Sequence, residues 1–124
     1  MPKGFSMLAR LKSFGYAFNG IKYALTTQHN FYIHVTLTIV AIILGFILKI
    51  SNTEWVAIVI VIGLVISAEI FNTAIEELVN LVSPKKNKKA GIIKDLAAGA
   101  VLVLAMAALI TGTIIFLPKL IILI

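Results

Sequence analysis

Glu69, Asn72, Glu76, Glu77 and Asn80 interrupt a stretch otherwise built of Ile, Val, Leu, Ala and other apolar or small residues. On a helix, which turns by about 100° per residue, Glu69, Asn72, Glu76 and Asn80 share an arc of about 80° along about 16 Å of axis. They form one polar stripe. Glu77 lies about 100° round from Glu76 and is read as reaching the surface. Such a face reads either as a functional site, within reach of a soluble ligand from one end and of a lipid from the side, or as inter-helix hydrogen-bonding groups that hold an oligomer together. An intramembrane carboxylate costs about 2.5–3.5 kcal/mol on insertion scales, so two on one face are expected to have a function.

Further along, Lys94 and Asp95 stand just before a second apolar run. Taken alone they read as a helix-start device, with Asp favouring the N-terminus and Lys snorkelling to the interface. Lys85, Lys86, Lys88 and Lys89 read first as a topology signal or lipid-headgroup patch, and second as phosphate contacts. His34 reads as a buried hydrogen-bonding residue, and it forms no metal-binding pair with His29. The absence of cysteine excludes disulfides and thiolate metal sites.

The elements that carry these residues follow from composition. The chain has 124 residues, of which 60% are hydrophobic and 13% charged, with a net charge of +6. A water-soluble monomer and a disordered chain are both excluded. Crossing the apolar core of a bilayer as helix takes about 20 apolar residues. Three stretches are long enough: 32–50, 55–82 and one starting at 96, where Pro118 is expected to end the regular helix near Leu117. Ahead of them, 5–27 places Leu8, Leu11, Phe14, Tyr16, Phe18, Ile21 and Leu25 among basic and small residues. This pattern predicts an amphipathic helix lying on the membrane surface. The fold class is therefore all-α and integral to the membrane, with a surface helix, three transmembrane helices and one domain over 1–124. No cleaved signal peptide is expected.

Lys3, Arg10, Lys12 and Lys22 precede the first span and Lys85, Lys86, Lys88, Lys89 and Lys94 lie in the 83–95 loop, whereas only Lys49 and Lys119 fall on the other side. By the positive-inside rule the N-terminus and the 83–95 loop are cytoplasmic and the C-terminus is outside. Tyr32 and Trp55 sit where interfacial anchors belong, and each also reads as a packing residue. Ala108 and Gly112 have the small-xxx-small spacing that lets helices approach closely, so oligomerisation is expected.

Glu69-Ile-Phe-Asn-Thr-Ala-Ile-Glu76, then Asn80, a polar loop and Lys94-Asp-Leu-Ala-Ala-Gly-Ala-Val, resembles the bacterial diacylglycerol kinase family, which includes undecaprenol kinases. The resemblance runs from Phe14-Gly-Tyr-Ala-Phe-Asn-Gly-Ile through Asn30-Phe-Tyr-Ile-His34 and Glu54-Trp55 to Ile114-Ile-Phe-Leu-Pro-Lys119. The ending and the Glu-Trp pair look more like the undecaprenol kinase branch. The resemblance implies a homotrimer in the bacterial cytoplasmic membrane, with active sites at subunit boundaries. It also implies transfer of phosphate from ATP, with Mg²⁺, to a lipid hydroxyl. No nucleic-acid partner is expected. Neither a Walker A loop nor the His-Arg-Asp motif of protein kinases occurs in the chain.

By matched position the resemblance makes Glu69 the proton acceptor, Glu76 a metal-binding carboxylate and Asn72 a support between them. Gln28 takes the second metal position. Tyr16, Gln28, Glu76, Lys94 and Asp95 become nucleotide contacts, and Arg10, Glu69 and Gly99 lipid contacts. The chain departs from the family where Gln28 replaces a Glu and Asn80 an Asp. Arg10 aligns only with a gap, and the Pro-Lys-Lys-Asn-Lys-Lys loop lacks the usual acidic and His residues. An amide oxygen at Gln28 still coordinates Mg²⁺ but brings no charge, which implies weaker metal binding or help from Glu77. The rival readings are a small proton-coupled transporter using Glu69, and a scaffold or pore with the stripe at an oligomer interface.

Overall fold

A computed structural model describes residues 4–124, so Lys3 of the basic N-terminal group lies outside the described residues. Four helices follow in order: α1 (Met7–Thr27), α2 (His29–Ile47), α3 (Asn52–Val82) and α4 (Lys88–Leu123). The Ser6 hydroxyl accepts from the Ala9 N–H and starts α1. Gln28 breaks the helix in an extended conformation before α2 begins. Apart from Ala24, which is buried, almost all of α1 is exposed.

Helices α2, α3 and α4 are each long and apolar enough to cross a membrane. Their outward faces carry large apolar side chains, among them Phe46, Leu109 and Ile114. In an aqueous protein such faces would aggregate; against lipid they need no partner. Helix α3 packs mainly on α4, and α2 mainly on α3.

The α2–α3 turn is tight. Lys49 takes a left-handed conformation with φ 51°, and Ser51 and Glu54 then cap α3 reciprocally, each side chain accepting from the other's backbone N–H. Here Trp55 folds back onto Phe46, with ring centroids 4.9 Å apart. Trp55 is thus a packing residue. A Cβ added at Gly45 would lie 2.5–2.7 Å from Trp55 ring carbons. Gly45→Ala is therefore expected to destabilise the protein by about 1–3 kcal/mol, as overpacking does, seen as a lower midpoint of thermal unfolding in detergent.

Both ends of α4 differ from the sequence expectation. The helix begins at Lys88 and not near 96, because Asn87 accepts from the Lys89 and Ala90 N–H groups. Lys94 and Asp95 consequently lie inside the helix and do not start it. At the other end α4 continues through Pro118 to Leu123. Proline removes one N–H, but the surrounding turn is held from outside: Ile115 and Phe116 are buried against Ile50 and Ile58, and Lys119 Nζ pairs with Glu54 Oε2 at 2.8 Å. Tertiary contacts offset the local cost, as they commonly do in membrane helices.

That apolar cluster closes the end of the bundle where the α2–α3 turn meets the C-terminal part of α4. Beyond it α2 stands away from α4, leaving an apolar groove of about 490 Å³ lined by residues such as Leu37, Ala41, Val65, Ala108 and Gly112. His34 is the single titratable side chain among its described lining residues.

Candidate active site

At 1.5 Å per residue, α3 with its 31 residues is about 46 Å long, more than the hydrocarbon core of about 30 Å. About 20 residues counted from Trp55 reach about position 74. Glu69 and Asn72 thus fall within the apolar thickness, and Glu76, Glu77 and Asn80 at its far edge. The stripe crosses from one solvent to the other.

The deepest member, Glu69, is only 3% exposed. Its Oε1 stands 3.0 Å from His34 Nε2 on α2. The two side chains meet as a close polar contact between α2 and α3. The hydroxyl of Thr73 bonds to the backbone oxygen of Glu69 at 2.9 Å and leaves the carboxylate alone. One turn further, Asn72 Nδ2 donates to Glu76 Oε1 at 3.2 Å. Asn72 Oδ1 is buried with no hydrogen-bond partner. A buried acceptor left open costs free energy, and a bound ion or water is one way to satisfy it. At the end of the stripe, Lys94 Nζ donates to Asn80 Oδ1 at 2.6 Å.

Glu77 is exposed and accepts from the Tyr23 hydroxyl at 2.8 Å, tying α1 to α3. That bond pushes the Tyr23 phenol above its usual pKa, so it stays a donor. Glu77 is thereby engaged away from the Asn72–Glu76 pair.

The structure brings Glu69, Asn72 and Glu76 onto one face of α3, and Lys94 to its end. Among the described residues, the other expected positions make no side-chain hydrogen bond to this stripe. Gln28 is half-buried at the α1–α2 break, and its side chain does not cap α2. Tyr16 is exposed, and the exposed Arg10 lies over the Phe5 ring at 5.9 Å. Asp95 is exposed on α4, and half-buried Gly99 has open space where a Cβ would stand. Sequence reasoning left His34 without its partner. Distance from the 48–51 turn alone does not pair them, because Glu69 lies about one helical turn further from it than His34 does.

Among the described residues no three His, Cys, Asp or Glu side chains gather as a metal cage. Magnesium does not require one. It binds through one or two carboxylates and completes its octahedron with water and phosphate oxygens. The Glu76 carboxylate beside the open Asn72 Oδ1 is an all-oxygen donor set that fits such an ion.

An oxygen-lined stripe that descends into three bilayer-length helices defines an integral membrane protein with a polar face at the membrane edge. The chain belongs to the prokaryotic diacylglycerol kinase family, whose sequence profile matches residues 15–116. It is 43% identical over 109 residues to the undecaprenol kinase of Bacillus subtilis strain 168, covering 88% of this chain and 89% of that one. It is also 40% identical over 111 residues to a diacylglycerol kinase of Synechocystis, covering 89% of this chain and 63% of the relative. With the diacylglycerol kinase of Escherichia coli strain K12 it shares 27% over 104 residues, 84% and 85% of the two chains. The protein is a membrane-integral lipid kinase, and the transporter reading falls.

Proposed function

We propose that this kinase transfers the terminal phosphate of ATP to the hydroxyl of undecaprenol, with diacylglycerol as the second reading. Support for undecaprenol comes from the 43% identity to the Bacillus enzyme over nearly all of both chains. Support for diacylglycerol comes from the 40% identity to the Synechocystis protein. The observation that carries the catalytic reading is the buried Glu69 carboxylate on the same helix face as the Asn72–Glu76 pair.

Phosphoryl transfer asks a protein mainly for alignment and charge neutralisation. Glu69 takes the proton as the lipid oxygen bonds to the γ-phosphorus and the bond to the departing ADP oxygen breaks. Glu76, with Asn72 and Gln28, holds Mg²⁺, which neutralises phosphate charge when bound. Lys94 and Asp95 meet the nucleotide from α4, Tyr16 from α1, and Arg10 and Gly99 lie along the lipid. The α1 helix rests on the membrane surface, with the N-terminus and the 83–95 loop on the cytoplasmic side, where ATP is found, and the C-terminus outside. A homotrimer completes the site: within one chain, among the described residues, Tyr16, Gln28 and Asp95 make no side-chain hydrogen bond to the stripe.

Asn80 is neutral, so it orients Lys94 without cancelling its charge. Asn80→Asp would make an ion pair that competes with the phosphates. An exposed pair is worth about 0.2–1 kcal/mol, so KM for ATP is expected to rise up to about five-fold, measured by steady-state titration of ATP. The whole reading is tested by offering both lipids side by side with γ-labelled ATP in bicelles, with and without Mg²⁺. Metal-dependent labelling of undecaprenol above diacylglycerol is expected; the reverse preference selects the second reading.

A further inference from the structure

We propose that His34 is a positioning residue for phosphoryl transfer: by holding Oε1 of Glu69 through the 3.0 Å contact of its Nε2, it presents the carboxylate's other oxygen to the lipid hydroxyl. This rests on the reading of Glu69 as proton acceptor.

Three observations carry it. First, among the described residues His34 Nε2 is the one polar side-chain atom that meets the Glu69 carboxylate, 3.0 Å from Oε1, and no described residue bonds to Oε2. One oxygen is anchored and one is available. Second, the donor comes from a different helix. Glutamate has three side-chain torsions, of which the helix strongly restricts only the first; a cross-helix contact narrows the rest before substrate arrives. Third, the bond is sheltered. Glu69 is 3% exposed, and His34 belongs to the wall of the apolar groove between α2, α3 and α4. Little water reaches the pair to compete, so the bond is stronger than at a surface.

Proton acceptance stays with Glu69, and His34 acts only through it.

The test compares His34→Leu, His34→Gln and Glu69→Gln, singly and as the double variant His34→Leu/Glu69→Gln, in the full-length protein in bicelles. Leucine keeps much of the volume and suits a bilayer, whereas Gln restores a donor. His34→Leu is expected to lower kcat about 10–100-fold, the scale of a misplaced reacting group, with KM for ATP unchanged. His34→Gln should recover most of that loss. On the Glu69→Gln background the Leu change should have no further effect on kcat, since the two residues act as a unit. Glu69→Gln should also move the side-chain ¹⁵N resonance of His34 and leave that of His29 in place; the chain has only these two histidines. A folded His34→Leu protein with unchanged kcat overturns the proposal, as does a His34 loss that multiplies with the Glu69 loss. Should His34→Leu fail to fold, an unmoved His34 resonance in Glu69→Gln overturns it equally. Full activity in Glu69→Gln itself is a different result: it removes the proton-acceptor reading on which the proposal stands.

Discussion

Glu69→Gln is expected to reduce kcat for lipid phosphorylation by about 10²–10⁴-fold, the usual contribution of a positioned general base, while the protein remains folded and at least as stable. The two parts of this expectation have separate causes. Glutamine has nearly the shape of glutamate, and its amide oxygen can still meet His34 Nε2. What disappears is the basic oxygen. Because a neutral amide is cheaper than a carboxylate inside the bilayer, removing the charge is not expected to lower the unfolding midpoint. A residue present only to tie helices together would behave in the opposite way, with stability changed and turnover kept. Single-turnover transfer from γ-labelled ATP, paired with thermal unfolding of the same sample, reads both. Unchanged turnover would remove Glu69 from the chemistry.

Glu76→Gln is expected to lower kcat/KM for ATP by about 10²–10³-fold, since Lewis-acid neutralisation of the phosphates contributes several kcal/mol. Its signature differs from that of Glu69. The half-saturating Mg²⁺ concentration should rise steeply, because the substitution removes the carboxylate proposed to hold the ion, whereas Glu69→Gln should leave the Mg²⁺ requirement in place. Gln28 sharpens the contrast. With a neutral amide at the second expected metal position, Glu76 is the main negative charge offered to the cation. The bond from Asn72 survives the substitution, because a glutamine oxygen also accepts. Titration of activity with Mg²⁺ at saturating lipid is the measurement, and an unshifted Mg²⁺ curve would place the ion elsewhere.

The two parts of the site differed in how readily they could be seen. The stripe of Glu69, Asn72, Glu76 and Asn80 was visible as periodicity, since residues on one helix keep their angles whatever surrounds them. The partner of Glu69 was not visible. His34 is a lone polar residue in an apolar run, and only the facing of α2 and α3 reveals that it meets the carboxylate. The bond from Lys94 to Asn80 likewise depends on how α3 and α4 lie side by side. Lys94 and Asp95 looked like a helix start because apolar content ends there. Yet hydropathy reports where a bilayer would be, not where a helix stops. Asn87, a good cap, held the better signal. Pro118 shows a local rule overruled, because the buried Phe116 and the Lys119–Glu54 pair hold the turn around it.

Composition and helical period therefore suffice for three apolar spans, a leading helix and a polar face, because each is a property of one segment and its solvent. Which groups meet is another matter. The closure of His34 on Glu69, the open oxygen of Asn72 and the seating of Trp55 on Gly45 and Phe46 depend on the axial offset between neighbouring helices. That offset is set by the 48–51 and 83–87 turns and by packing of Ile50, Ile58, Ile115 and Phe116. It is a relation between distant parts of the chain, and no local pattern of residues carries it.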